Sequence, residues 1–147
     1  MAEVFIRDMN EPDLPAVLEI EHISFTIPWS IDSFIHELRN QYSITKVAVI
    51  EDNVIGYICA HHIIDESHIL NLAVHPDFRR CGIATKLVKE VLDELEGKGC
   101  RFIYLEVRVS NLVARNFYAR LGFKEVGVRR NYYTSPREDA IIMMREP

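Results

Sequence analysis

The chain has 147 residues, 48% of them apolar, and carries 17 Lys and Arg against 22 Asp and Glu, a formal net charge of −5. A chain of this size buries one core, so a single domain over residues 1–147 is expected, and the interspersed, net acidic charge lacks the basic footprint of a nucleic-acid binder. No apolar run approaches a membrane span and residues 1–10 lack the basic start and apolar middle of a secretory signal, so a soluble, cytoplasmic protein is expected.

Val4 to Arg7 reads as a short strand, and Asn10-Glu11-Pro12 supplies a capping side chain and an early proline for a helix whose Leu14, Val17 and Leu18 share one face. Pro28-Trp29-Ser30 ends that helix. Ser30 then caps a second, with Ile31, Phe34, Ile35 and Leu38 as its apolar stripe and Trp29 packing helix to sheet. Ile44–Ile50 and Val54–Ile64 are β-rich runs joined by the hairpin signal Glu51-Asp52-Asn53. A further strand is expected over Ile69–Val74, followed by a helix in which Ile83, Leu87, Val88, Val91, Leu92 and Leu95 recur at the 3.6-residue period until Gly97-Lys98-Gly99. Phe102 to Val109 alternates, with Ile103, Leu105, Val107 and Val109 on one face and Glu106 on the other. Asn111 caps a last helix striped by Ala114, Phe117, Tyr118 and Leu121 and stopped by Gly122. Val126–Arg130 and Ala140–Met144 read as closing strands around a tyrosine-bearing loop. The order gives a three-layer α/β domain, a mixed and mostly antiparallel sheet flanked by helices.

Between strand and helix lies Arg79-Arg80-Cys81-Gly82-Ile83-Ala84, which reads as a pyrophosphate cradle. The first helical turn offers unpaired N–H groups and a favourable dipole, Gly82 permits close approach, and Arg79 and Arg80 add charge. The loop has no GxxxxGK[ST] spacing, so it suggests a cofactor held without metal and not a phosphoryl donor. Cys59, Cys81 and Cys100 fit neither a CxxC site nor a disulfide framework and read as free thiols; His61-His62 lacks the HExxH spacing, so no metal is expected.

With this loop and element order, the chain resembles the GNAT superfamily of acetyl-CoA-dependent N-acetyltransferases, whose cofactor loop reads [RQ]xxGx[GA]. The segments Phe25-Thr26-Ile27-Pro28-Trp29-Ser30, Asn71-Leu72-Ala73-Val74, Leu105-Glu106-Val107-Arg108-Val109-Ser110-Asn111, Tyr118-Ala119-Arg120-Leu121-Gly122-Phe123 and Arg129-Arg130-Asn131-Tyr132-Tyr133 with Glu138-Asp139-Ala140 are similar to the RimI-type ribosomal-protein alanine N-acetyltransferases and to archaeal protein N-terminal acetyltransferases. The resemblance implies acetyl-CoA as cosubstrate and a protein N-terminus, such as that of a ribosomal protein, as acceptor. It implies that the backbone of Leu72, Ala73 and Val74 pairs with the pantetheine arm, that Arg79, Arg80, Cys81, Gly82, Ile83, Ala84 and Thr85 hold the pyrophosphate, and that Asn111 and Tyr118 meet the cofactor near its sulfur. Glu106 is the implied general base and Tyr118 the general acid. Ile27, Asn71, Tyr132 and Tyr133 fall where the acceptor binds, and His68 is a further candidate base.

From pattern alone, Glu106 is an ordinary polar residue on the less apolar face of a strand, Tyr118 a core aromatic, and His68 a structural residue at a strand start. Two other functions fit the same sequence: acetylation of a lysine side chain or small amine, and an acyl-CoA-binding module without catalysis.

Overall fold

The computed structural model describes residues 2–147; Met1, the first residue of the expected single-domain span, lies outside the described residues. Strand β1 (Val4–Asp8) leads through a short 3-10 turn into α1 (Leu14–Ser24) and then α2 (Ile31–Arg39). The hairpin β2 (Ser43–Ile50) and β3 (Asn53–Ile63) is followed by β4 (Glu66–Val74), α3 (Ile83–Glu96), β5 (Phe102–Arg108), α4 (Leu112–Arg120), β6 (Lys124–Thr134) and β7 (Arg137–Arg145). The strands form one seven-stranded sheet in the order β1-β2-β3-β4-β5-β7-β6. Among the described residues only β4 and β5 pair in parallel, which is what the intervening α3 crossover requires.

Local chemistry explains most of these boundaries. Ser30 Oγ accepts from the Ser33 N–H at 3.2 Å and Asn111 Oδ1 from the Ala114 N–H at 3.1 Å, so two of the three expected caps are formed; the third, Asn10, opens the 3-10 turn Glu11–Asp13, and α1 starts only at Leu14 with Asp13 before it. Glu51 and Asp52 both take left-handed φ, 48° and 66°, the twist a two-residue hairpin turn demands. All six apolar residues expected along α3 are buried. Ile31 is not: it is 48% exposed, as is the whole first turn of α2, and the buried positions of this helix are Phe34 and Glu37.

The sheet separates two apolar layers. On one face α3 and Tyr118 of α4 pack over Ile58, Ile103, Leu105 and Met143. On the other, Leu14, Val17, Ile20 and Phe34 from α1 and α2 pack over Val47, Tyr57 and Ala73. Each fully buried large aliphatic or aromatic side chain contributes about 1.5–3 kcal/mol. Val109 lies just past the end of β5 and is 38% exposed, so the expected apolar face ends at Val107.

The expected tyrosine-bearing loop is strand. β6 runs to Thr134 and pairs with β7 through Tyr133↔Glu138 and Thr134↔Arg137, leaving Ser135 and Pro136 as the turn. As the sheet's edge strand, exposed along most of its length, β6 has no buried face to write an alternating pattern into the sequence.

Candidate active site

The site is opened by an irregularity in β4. Pairing with β3 jumps from Ala60↔Ile69 to Cys59↔Asn71, so Leu70 is an extra residue, a β-bulge. Bulges bend the strand that carries them, and β4 accordingly parts from β5: their parallel pairing covers only Glu66–His68 against Phe102–Tyr104. Beyond that point, β4 stays paired to β3 as far as Val74, while β5 pairs with β7. The edge of Leu72, Ala73 and Val74 that faces β5 is therefore without a partner strand, and its outward backbone groups, apart from Val74 O, which Arg79 takes, are open to a ligand.

The chain then passes through a 3-10 turn at Pro76–Phe78 into the expected cradle. Arg80 and Gly82 are left-handed, φ 64° and 76°, and Gly82 is the N-cap of α3 with no side-chain cap. The first intrahelical bond runs from Lys86 N to Gly82 O, so the N–H groups of Ile83, Ala84 and Thr85 have no intrahelical acceptor. Nothing lies within 4 Å of where a Cβ on Gly82 would sit, so the approach to these donors is open. Arg79 braces the loop, its Nε donating to Val74 O at 3.0 Å and its Nη2 to Ser24 Oγ at 3.3 Å, whereas Arg80 and Cys81 are exposed. These features fit a pyrophosphate.

Glu106 sits in mid-β5 with its side chain 8% exposed. His68 Nε2 donates to Oε2 of its carboxylate, and Arg129 Nε lies 3.6 Å from Oε1. Parallel pairing brings His68 beside Tyr104, two residues from Glu106, which is why residues 38 apart in sequence meet. Both line a cleft of about 770 Å³ with His61, Tyr104, Arg129 and Ile142.

Tyr118 is 8% exposed, its ring held edge-on between Phe117 and Phe123 at 5.0 and 5.5 Å. Burial, and then the neighbouring Tyr133 phenol, push its pKa above the ordinary phenol value, so its hydroxyl keeps its proton. Tyr133 is pushed up to about 12, by burial first and then by Tyr132, against the opposing pull of Arg108. Arg108 stacks 4.2 Å over the Tyr133 ring, ties Ser135 O and Pro136 O, and bonds Glu138, so the β6–β7 hairpin is fastened to β5.

The remaining expected residues do not line this cleft. Ile27, in the segment between α1 and α2, is 61% exposed, and Tyr132 is 46% exposed. The carboxamide oxygen of Asn111 is engaged as the cap of α4, leaving its NH₂ group for a ligand. Asn71 is 8% exposed and its Nδ2 donates to Glu21 at 2.8 Å. Glu21 itself, 1% exposed, was invisible to pattern reading, as was the buried Glu37 that bonds His61 at 2.5 Å and Ser43 at 2.6 Å. A glutamate at a buried helical position carries no sequence signal unless its distant partners are known. Among the described residues there is no group of His, Cys, Asp and Glu able to hold a metal, and no helix long and apolar enough to cross a membrane.

An open strand edge running toward a helix N-terminus, with a shielded carboxylate on the strand from which that edge parts, defines a cofactor-dependent group-transfer site. Residues 14–123 match the acetyltransferase (GNAT) family, and the chain belongs to it. It is 38% identical over 140 residues to the [ribosomal protein bS18]-alanine N-acetyltransferase of Salmonella typhimurium, covering 94% of each chain. The enzyme of that name from Escherichia coli K12 is 37% identical with the same coverage. Among solved structures, the ribosomal-protein-S18-alanine N-acetyltransferase from Escherichia coli superposes with a TM-score of 0.91 at 35% identity, over 98% of this chain and 94% of the other. Ard1 from Thermoplasma volcanium gives a TM-score of 0.90 at 27% identity, over 97% of each. The seven-stranded mixed sheet is thus the GNAT fold.

Proposed function

We propose that this protein transfers acetyl from acetyl-CoA to the N-terminal α-amino group of a protein, and that a ribosomal-protein N-terminus beginning with alanine, met in the cytoplasm, is the acceptor. The observation that carries this reading is Glu106, a shielded carboxylate with one oxygen held by His68, beside the unpaired edge of β4. Its relatives of the same length, named for alanine N-acetylation, support the acceptor.

In this reading the N–H groups of Ile83, Ala84 and Thr85, with Arg80 and Gly82, hold the pyrophosphate, and the β4 edge at Leu72, Ala73 and Val74 bonds the pantetheine arm. Acetyl-CoA supplies a thioester carbonyl, an acyl group ready for attack by a neutral amine. An α-ammonium loses its proton near pH 7.7–8.0, against about 10.4 for lysine, so a carboxylate base suffices for the former. Glu106 accepts that proton, directly or through one water; His68 orients the carboxylate by occupying Oε2. A β4 N–H polarises the carbonyl, and the protonated Tyr118 hydroxyl donates to the departing sulfur. Tyr132, Tyr133 and Ile27 flank the incoming peptide, and no enzyme nucleophile is required.

The test is transfer of labelled acetyl to peptides beginning Ala, Ser, Thr or Met, each also prepared with a blocked α-amine. Label on the free α-amine, absent from the blocked peptides, supports the reading. Label confined to lysine, or acetyl-CoA binding without turnover, overturns it.

A further inference from the structure

Glu21 is the most deeply buried carboxylate outside the cleft, 1% exposed in the last turns of α1, and the chemistry above does not use it. Its Oε1 accepts from the Tyr57 hydroxyl on β3 and from Asn71 Nδ2 on β4; its Oε2 accepts from the Trp29 N–H at 2.9 Å. All three partners are neutral. A buried carboxylate without a cation is costly, and a carbonyl-bearing side chain would be cheaper if the task were only to fill space. Three donors converging on one side chain require a group that only accepts and has two oxygens to do it with.

The three donors belong to three different parts of the site. Trp29 ends the Phe25–Trp29 segment that joins α1 to α2 and exposes Phe25 and Ile27. Asn71 is the first residue after the Leu70 bulge, where β4 has turned from β5. The bulge also reverses which face of the sheet the β4 side chains reach: Ile69 belongs to the α3 layer and Ala73 to the α1–α2 layer. Asn71 therefore meets Glu21 only because the bulge is present. Tyr57, 0% exposed, fixes the carboxylate from the sheet below.

We propose that Glu21 is a positioning residue for acceptor recognition, registering the Phe25–Trp29 segment against the bulged strand that opens the cofactor edge. The inference rests on the N-terminal acetyltransferase reading, which puts the acceptor beside Ile27. Glu21→Gln tests it selectively. The introduced amide keeps its oxygen where two donors converge and turns its NH₂ toward the Trp29 N–H, so the segment is released while β3 and β4 stay bonded. Adding Asn71→Asp moves the acceptor charge onto β4, so the introduced glutamine turns its NH₂ there and offers its oxygen back to Trp29.

The experiment is steady-state kinetics with acetyl-CoA and a peptide carrying a free N-terminal alanine, with the thermal midpoint of each variant. Glu21→Gln is expected to raise the peptide KM about tenfold, the worth of one hydrogen bond to a charged group, with the acetyl-CoA KM changed by less than about twofold. Asn71→Asp in the same chain is expected to recover most of that loss. Tyr57→Phe, at a position no peptide can touch, is expected to shift the peptide KM in the same direction by a smaller factor. An unchanged peptide KM in Glu21→Gln or, should that variant not fold, in Tyr57→Phe overturns the proposal. So does a loss shared equally by both substrates and not recovered by Asn71→Asp. Wild-type protein that leaves the α-amine untouched overturns the underlying reading and this proposal with it; normal wild-type transfer with any of the other contrary results overturns the proposal alone.

Discussion

Glu106 differs from other strand glutamates in what holds it. Ile103, Leu105 and Val107 commit the opposite face of β5 to the core, so Glu106 is fixed in direction by its neighbours, and His68 fixes its carboxylate in rotation. Glu106→Gln removes the base and keeps the size; we expect kcat/KM to fall by about 10²–10⁴-fold, the usual share of general-base catalysis, with an unchanged thermal midpoint. Tyr118→Phe tests the donor. Because burial raises the Tyr118 pKa, its proton is retained through the pH range where an ordinary phenol, near 10, would lose it. The variant is therefore expected to lower kcat by a constant factor, on the order of 10², from pH 7 to about pH 10.5, past the point where an ordinary phenol is half ionised, read from parallel pH–rate profiles. Among these residues, the place of Glu106 on the less apolar face of β5 and the burial of Tyr118 on the stripe of α4 were legible from periodicity. The His68–Glu106 contact was not, because strand register decides it and a single sequence does not state register.

At the scale of elements, the loop entering α3 is the part most dependent on one residue. Gly82 is left-handed at φ 76° and faces open space, so Gly82→Ala strains the backbone by about 1 kcal/mol and puts a methyl group into the cradle. The acetyl-CoA KM should rise while the peptide KM stays constant, measured by varying each substrate in turn. α3 itself was fully readable, since its stripe packs on the sheet and all six expected positions are buried. α2 was half readable: Phe34 is buried as expected, but Ile31 is exposed and Glu37 is buried with His61 and Ser43. β6 was the least readable. Its Arg-Arg-Asn-Tyr stretch, 129–132, is exposed at the sheet edge, Asn131 is left-handed at φ 53°, and the register slips between Arg129 and Tyr133. What makes it a strand is its pairing to β7, a long-range fact.

For the whole molecule, two apolar layers on one sheet make stability depend on both faces. Leu87, 0% exposed at the centre of the α3 layer, has no room to relax, so Leu87→Ala should cost about 2–5 kcal/mol in denaturant unfolding. The N-terminal β1–α1 junction adds a pH dependence. Asp13 accepts two bonds from Arg7 at 2.8 Å and one from the Asn10 N–H at 2.7 Å. The Arg7 bonds first of all, against the opposing effect of burial, hold its pKa below the ordinary carboxylate value. A lowered folded pKa means the unfolded chain binds the proton more readily, so this stability is present above about pH 4 and is lost as pH falls through the folded value. Arg7→Gln should flatten that acid limb, seen as a smaller drop in thermal midpoint between pH 5 and pH 3.

The open edge of β4 leads toward the N-terminus of α3, Glu106 stands on the strand from which β4 parts, and we propose that together they deliver acetyl to an α-amine. The most direct measurement uses one peptide that carries both a free N-terminal alanine and an internal lysine, incubated with acetyl-CoA and the wild-type or Glu106→Gln protein, with the acetyl group located by fragmentation mass spectrometry. The expected result is acetyl on the α-amine alone, formed by the wild-type protein and nearly absent with Glu106→Gln. Acetyl on the lysine, or equal α-amine acetylation by both proteins, would contradict the account.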